Sequence, residues 1–280
     1  MSLTRRLLLA AAAATALFVL WLFAVWPPPA WYRTHFPRET AFMRMRGGAA
    51  AYHPVPLDSI SRHFPRAVLV GEDHRFWSHH GIDFIEVRRA LGYRRDGFSW
   101  AAPRDVAELL RALGGAWGRR DALRGASTVS QQLAKNLYLS PSRNPLRKLK
   151  EAVTAYRLEL ALGKVRVLEL YVNVAELGTG IWGVEAASRA YFRRPAAALT
   201  RSEAAALAAT LPFPLASNPS HQPGRMRWRQ SYILRRMRGR LAEPPPAIAE
   251  QIPRAVADSV ARPVVVESLP PEPATGRPVP

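Results

Sequence analysis

Residues 144–163 read NPLRKLKEAVTAYRLELALG, and residues 164–174 continue KVRVLELYVNV. Apolar residues recur in both at three- and four-residue spacing, the period of a helix with one buried face. Asn144 suits a helix cap, Pro145 the first helical position and Gly163 a terminator. The spacing predicts helices over 145–162 and 164–174. The same period is read at 83–93, 104–114, 128–139, 183–192, 200–210 and 225–241, while strand-like alternation is scarce. Gly178, Gly180 and Gly183 predict a turn between two of these helices. The expected fold class is mainly α.

The charges on the first of these helices run against stability. Its opening turns carry Arg147, Lys148 and Lys150. Cations there oppose the helix macrodipole by some tenths of a kcal/mol each. A bound phosphate would favour them, held by the same cations and by free backbone amides. Glu151 follows one turn after Arg147. It reads either as an ordinary surface i,i+4 partner or as an active-site carboxylate held by a cation.

Two further stretches carry chemistry. In RGASTVSQQLAKNLYL, residues 124–139, Thr128 and Gln131 form a capping-box pattern that predicts a helix start. Capping leaves Ser127, Gln132 and Lys135 unexplained. Thr128, Gln131 or Gln132, and Lys135 fall on one helical face, opposite Val129, Leu133 and Leu137. Hydroxyl, amide and ammonium together suit a sugar phosphate. In GEDHRFWSHHGID, residues 71–83, Glu72 and Asp73 are adjacent carboxylates. Apolar neighbours (Val68, Leu69, Val70, Phe76, Trp77) would raise a carboxyl pKa and suit a general base; a solvated loop paired with Arg75 is the plain alternative. His74, His79 and His80 lack zinc-site spacing and read as structural. Glu169 and Asn173 share a face of the later helix.

The chain has 280 residues, 40 of them basic and 21 acidic, for a formal charge of +19. Such an excess points to an anionic partner: nucleic acid, a lipid surface or a phosphorylated substrate. No cysteine is present, which excludes disulfides, thiolate zinc sites and a cysteine nucleophile. All four lysines (Lys135, Lys148, Lys150, Lys164) fall in one 30-residue stretch. Residues 7–26, LLLAAAAATALFVLWLFAVW, are long and apolar enough to span a bilayer. Arg5 and Arg6 before them put the N-terminus in the cytoplasm and the rest outside. A cleaved signal peptide is the rival, but the bulky far end opposes it. Export argues for a membrane or lipid-phosphate partner and no nucleic acid.

The expected organisation is a cytoplasmic N-terminus (1–6), a transmembrane anchor (7–26), a juxtamembrane linker (27–50), a domain (51–242) and a proline-rich, disordered tail (243–280). In the linker, Arg33, Arg38, Arg44 and Arg46 are placed to rest on anionic head groups. Pro263-Val-Val-Val reads as a short strand within the tail. Residues 92–124 read as an inserted stretch with its own helix near 104–114.

Taken together, the motifs resemble the glycosyltransferase family 51 domain, the polymerase module of bacterial cell-wall synthesis. Its ED-xx-F-xx-H-x-G is met by Glu72, Asp73, Phe76, His79 and Gly81. Its G-x-ST-xx-QQ-xx-KN is met by Gly125, Ser127, Thr128, Gln131, Gln132, Lys135 and Asn136. Its RK-xx-E is met by Arg147, Lys148 and Glu151. The K-xx-x-LE-x-Y-x-N pattern with later glycines is met by Lys164, Leu168, Glu169, Tyr171, Asn173, Gly178 and Gly183. A last stretch, LTRSEAAALAATLPFP with Asn218-Pro219, also fits.

The resemblance implies a lysozyme-like helical domain with a smaller mobile lobe, preceded by one transmembrane helix and lacking a transpeptidase domain. It implies polymerisation of lipid II on the outer, periplasmic face of the cytoplasmic (inner) membrane, with release of undecaprenyl pyrophosphate. Glu72 and Glu151 are then the catalytic residues. Ser127, Thr128, Gln131, Gln132, Lys135, Asn136, Arg147 and Lys148 bind substrate and pyrophosphate. Asp73, Phe76, His79, Gly81, Glu169 and Asn173 support them. A divalent cation, Mg or Mn, is expected on the bound pyrophosphate near Glu72 or Glu151. Expected partners are lipid II, lipid-linked glycan, the membrane and proteins of cell-wall synthesis or division. The alternatives are a lysozyme-like lytic hydrolase or transglycosylase, and a non-catalytic cell-wall scaffold.

Overall fold

The computed structural model describes residues 2–116, 127–139 and 145–238. The cap at Asn144, the motif residue Gly125, the end of the helix read to residue 241, and the tail with its expected strand lie outside the described residues.

The first helix, α1, runs Leu3–Phe23, with no buried residue. A long apolar helix with no residue buried suits lipid better than water. Near its end it meets the rest of the chain, where Arg157 donates to the Phe23 carbonyl and Lys150 lies over the Trp21 ring. It begins before residue 7 and ends ahead of Pro27, Pro28 and Pro29, which cannot continue it. A 3-10 turn at Pro29–Arg33 and the short helix α2, Ala41–Met45, follow.

Two of the linker's arginines, both exposed, also contact the protein. Arg33 Nε donates to the Ala161 carbonyl at 2.7 Å, and Arg46 Nε lies 3.3 Å from Glu176. Tyr32 and Met43 are buried among core residues. Arg33 finds its acceptor where Gly163 interrupts the neighbouring helix and breaks its ladder.

Helix α3, His63–Glu72, was not foreseen from periodicity. Residues Phe64 through Val70 are all buried, so it has no polar face to make a stripe. Next come α4 (Phe84–Ala90), α5 (Pro103–Ala116), α6 (Val129–Tyr138) and α7 (Pro145–Val174). The two helices read at 145–162 and 164–174 are both present within this span: Gly163, with φ 73° and ψ 165°, is not helical and separates them. Last come α8 (Val184–Phe192), α9 (Arg201–Thr210) and α10 (Gly224–Arg236). The expected mainly-α fold stands.

A small sheet escaped the periodicity reading. It joins β1 (Ala51–Tyr52), β2 (Glu176–Gly178) and β3 (Ile181–Trp182) in the order β1-β3-β2. β1 runs parallel to β3, and β2 antiparallel to it with Glu176 opposite Trp182. Strands of two or three residues are too short to show alternation. Gly183 follows with φ 78°, and a Cβ there would sit 2.2 Å from the Asn173 carbonyl oxygen. Only glycine permits that approach.

The core forms where α6 packs along α7 and α3 packs on α9 and α10. Its largest fully buried side chains include Phe64, Phe76, Leu133, Leu158, Tyr171, Trp182 and Leu207.

Candidate active site

Glu72 is the last residue of α3, so its carboxylate projects from a helix end beside α6 and α10. Oε1 accepts from Arg229 Nη2 at 2.7 Å, and Oε2 accepts from Gln132 Nε2 at 2.9 Å. Arg229 Nη2 also reaches the Gly71 carbonyl at 2.7 Å. The surroundings are therefore not purely apolar, as the sequence had suggested; two donors serve the ionised carboxylate.

Gln132 is itself held in one orientation. Its Oε1 accepts from the Tyr171 hydroxyl at 2.8 Å. Burial, and then the nearby Glu72 charge, push the Tyr171 pKa well up, so the hydroxyl stays a donor. A donor on Oε1 leaves the Gln132 amide NH2 to face Glu72.

Asp73 serves position. Its carboxylate accepts from His79 Nε2 at 3.0 Å and from the Val129 backbone N–H, the first of α6, at 2.9 Å. An acid at a helix N-terminus is favourable. One side chain thereby ties the end of α3 to the start of α6. Thr128 and Gln131 form the expected capping box, and Thr128 Oγ1 donates to the Gly81 carbonyl at 2.6 Å. Gly81 is pressed on α7: with φ 73°, a Cβ there would lie 2.7 Å from the Tyr156 nitrogen. Phe76 is buried, with the Lys164 ammonium 4.3 Å from its ring centroid; Lys164 also pairs with Glu159 at 2.7 Å.

The cationic group begins one turn along α6 from Gln132. Lys135 carries a depressed pKa, caused first by burial. Glu151 works to raise it, Lys148 and Arg147 to lower it and Glu72 to raise it, so all four charges act on Lys135. Its ammonium lies 5.6 Å from the Phe42 ring centroid. Among the described residues it meets no hydrogen-bond acceptor. Arg147 Nη1 donates to Glu151 Oε2 at 2.7 Å, and Lys148 Nζ donates to Glu151 Oε1 and, at 3.0 Å, to Ser127 Oγ. Glu151 is buried, unlike an ordinary surface partner. Asn136 is buried on α6.

Glu169 and Asn173 lie elsewhere in function. Glu169 accepts from the Leu57 N–H at 2.8 Å, and Asn173 bonds both backbone groups of Val55 at 2.9 Å. They pin residues 55–57 to α7. As for a metal, no three His, Asp or Glu side chains among the described residues stand close enough to hold an ion. Both oxygens of Glu72 and of Glu151 already accept from cationic or amide donors. Among the described residues, none form a set that fits a resident divalent cation.

Sequence reasoning missed two residues here. Arg229 is one of six arginines in 225–238, and composition hides it. Glu176, buried in β2, is an acid in an otherwise apolar run, Val174-Ala175-Glu176-Leu177. That isolation was the available signal.

An acid oriented by donors from two helices, beside an ammonium with free hydrogen-bonding capacity, defines a site for transfer from an anionic donor. The transglycosylase family model matches residues 39–99 and 96–238. The chain belongs to this transglycosylase family. The break between the two matched parts falls within the stretch 92–124 that read as inserted. A biosynthetic peptidoglycan transglycosylase of Azoarcus sp. is 42% identical over 243 residues, covering 80% of this chain and 94% of the relative. One of Shewanella frigidimarina is 39% identical over 79% of this chain and 88% of its own length. One of Thiobacillus denitrificans is 37% identical over 84% of this chain and 94% of its own.

Proposed function

We propose that the chain is a membrane-anchored peptidoglycan glycosyltransferase that polymerises lipid-linked disaccharide into glycan strands. One observation carries this reading: the half-buried Lys135, on which the charges of Glu151, Lys148, Arg147 and Glu72 act, meets no hydrogen-bond acceptor among the described residues. Burying an ammonium is costly unless something pairs with it. A pyrophosphate arriving there would supply that pair.

The donor is a glycan strand whose reducing-end sugar carries undecaprenyl pyrophosphate, and the acceptor is lipid II. The acceptor 4-hydroxyl attacks the donor anomeric carbon. Its proton passes to Glu72, the anomeric carbon–oxygen bond breaks, and the electron pair leaves on the pyrophosphate. A carboxylate has about four lone-pair sites. Arg229 and Gln132 use one each on different oxygens, which leaves room for the hydroxyl. Lys135, Arg147 and Lys148 meet the charge that grows on the leaving oxygens. Glu151 holds Arg147 and Lys148 in place. A divalent cation has no residue cage here and would arrive with the pyrophosphate; no step above uses one.

Orientation follows from α1. Arg5 and Arg6 hold the N-terminus in the cytoplasm, and the helical domain works on the periplasmic face, where the lipid-linked substrates present their sugars. The excess of basic residues suits that anionic surface.

The test is polymerisation of purified lipid-linked disaccharide by the detergent-solubilised chain. Glycan ladders are expected. A folded protein that makes none, or that instead clears purified cell wall, overturns the reading; the second result favours a lytic enzyme.

A further inference from the structure

The sheet brings a third acid to the back of the site. Glu176 lies in β2 with its side chain buried, 3.3 Å from Arg46 Nε. Arg46 directly follows α2, and its guanidinium carbon stands 5.2 Å from the Phe42 ring centroid. The Lys135 ammonium is 5.6 Å from the same centroid. The Trp182 ring meets Phe42 edge-on at 5.7 Å, and Trp182 is the β3 residue paired with Glu176. Acid, guanidinium, aromatic ring and ammonium thus form one connected cluster around Phe42.

We propose that Glu176 is a positioning residue of the transfer reaction: its carboxylate, acting through Arg46 and Phe42, keeps the Lys135 ammonium at the pyrophosphate site. This rests on the glycosyltransferase reading above. A cation beside an aromatic face is attracted to the ring. It also needs nearby negative charge when water is scarce. Glu72 and Glu151 supply some, but each is committed to other cations or amides. Glu176 supplies it across the Phe42 ring: burial holds its carboxyl pKa up, while Arg46 and then Lys135 draw it down and favour the charged form. The Arg46 contact does a second job: it fastens α2, and so the segment after the membrane helix, to the sheet beside the site.

The charges that act on Lys135 are Glu151, Lys148 and Arg147 from α7 and Glu72 from α3; Glu176 of β2, on which Lys135 acts, and Arg46 after α2 reach it across the Phe42 ring. Burial already lowers the Lys135 pKa. Removing the Glu176 charge removes a group that favours the charged form, so the pKa falls further. Activity that needs the ammonium is then lost at lower pH on the alkaline side.

The test compares wild type, Glu176→Gln and Glu176→Asp as full chains in detergent, with lipid-linked disaccharide as substrate across a pH series. For Glu176→Gln, kcat falls about tenfold and the alkaline limb moves down by about one pH unit. The thermal midpoint stays near wild type. Glu176→Asp keeps the charge, so its limb stays in place. An unmoved limb in Glu176→Gln overturns the proposal, as does a loss of activity that only tracks lost thermal stability. Amine acylation of Lys135 against pH, followed by peptide mass, reads the same titration without turnover. Should Glu176→Gln not fold, the same acylation is read on Arg46→Gln, which leaves the Glu176 charge uncompensated beside Lys135. Its midpoint then moves up from wild type, and an unmoved midpoint overturns the proposal. If wild type makes no polymer, the function fails, while the acylation midpoints still decide the Glu176 link.

Discussion

The two ends of the site are built in opposite ways. The Glu72 end is assembled from far apart in sequence: Glu72 from α3, Gln132 from α6, Tyr171 from α7 and Arg229 from α10, the last 157 residues away. The Arg147–Lys148–Glu151 end is local, three side chains on one helix at i,i+3 and i,i+4 spacing. A base must be held to a fraction of an ångström from the proton it takes, and several elements over-determine that position. Charge stabilisation of a pyrophosphate tolerates looser placement, and one helix face suffices.

The sharpest way to break this contrast is at Glu72. Glu72→Gln keeps an acceptor oxygen for one of the two donors, turns its NH2 to the other, and removes the base. Turnover should fall by ~10²–10⁴-fold, with circular dichroism and thermal midpoint near wild type. Near-normal ladders from this variant would end the base assignment. Lys135→Met is next, with a loss of ~10²–10³-fold in kcat. It should also make the fold more stable. Lys135 has a depressed folded pKa, so the unfolded chain binds its proton more readily, and the native state carries a penalty at neutral pH that lessens as pH rises between the two values. Replacing the ammonium by an apolar group removes that penalty, by ~1 kcal/mol. A variant both inactive and less stable would mean that Lys135 is structural.

How much of this was legible follows the same division. The cationic helix was read from charge order on 144–151, because local spacing is what a sequence shows directly. The capping box at Thr128 and Gln131 was read for the same reason, and the structure has it. Helix α3, which carries Glu72, was not, because its buried residues surround the axis and leave no period. Gly163 read as a terminator with a second helix from 164, and the structure has both; Arg33 takes the Ala161 carbonyl at the break. The long-range partners Arg229 and Tyr171, and the contacts of the linker's Arg33 and Arg46, are facts of tertiary packing. The motif resemblance supplied Tyr171 as a family position, but its hydrogen bond to Gln132 could come only from the fold.

Gly81 tests how far the distributed end depends on packing rather than on charge. Gly81→Ala forces a Cβ to within 2.7 Å of the α7 backbone at a residue with φ 73°. Both effects cost, together on the order of 2 kcal/mol. The Thr128 bond to the Gly81 carbonyl would shift with it, moving the start of α6 and hence Gln132. Thermal stability should drop clearly and kcat fall with it.

Tyr171→Phe is the finest probe. It removes one hydroxyl and leaves the buried ring, so the fold should hold. Gln132 Oε1 then loses its donor, and the amide is free to turn its oxygen toward Glu72, where two acceptors would face each other. Loss of one neutral hydrogen bond is worth about 1 kcal/mol, so kcat should fall by about fivefold with KM unchanged. A fall confined to KM would instead put Tyr171 in substrate binding. An unchanged enzyme would mean that Arg229 alone orients the base, and the distributed end would then be less redundant than four converging elements suggest.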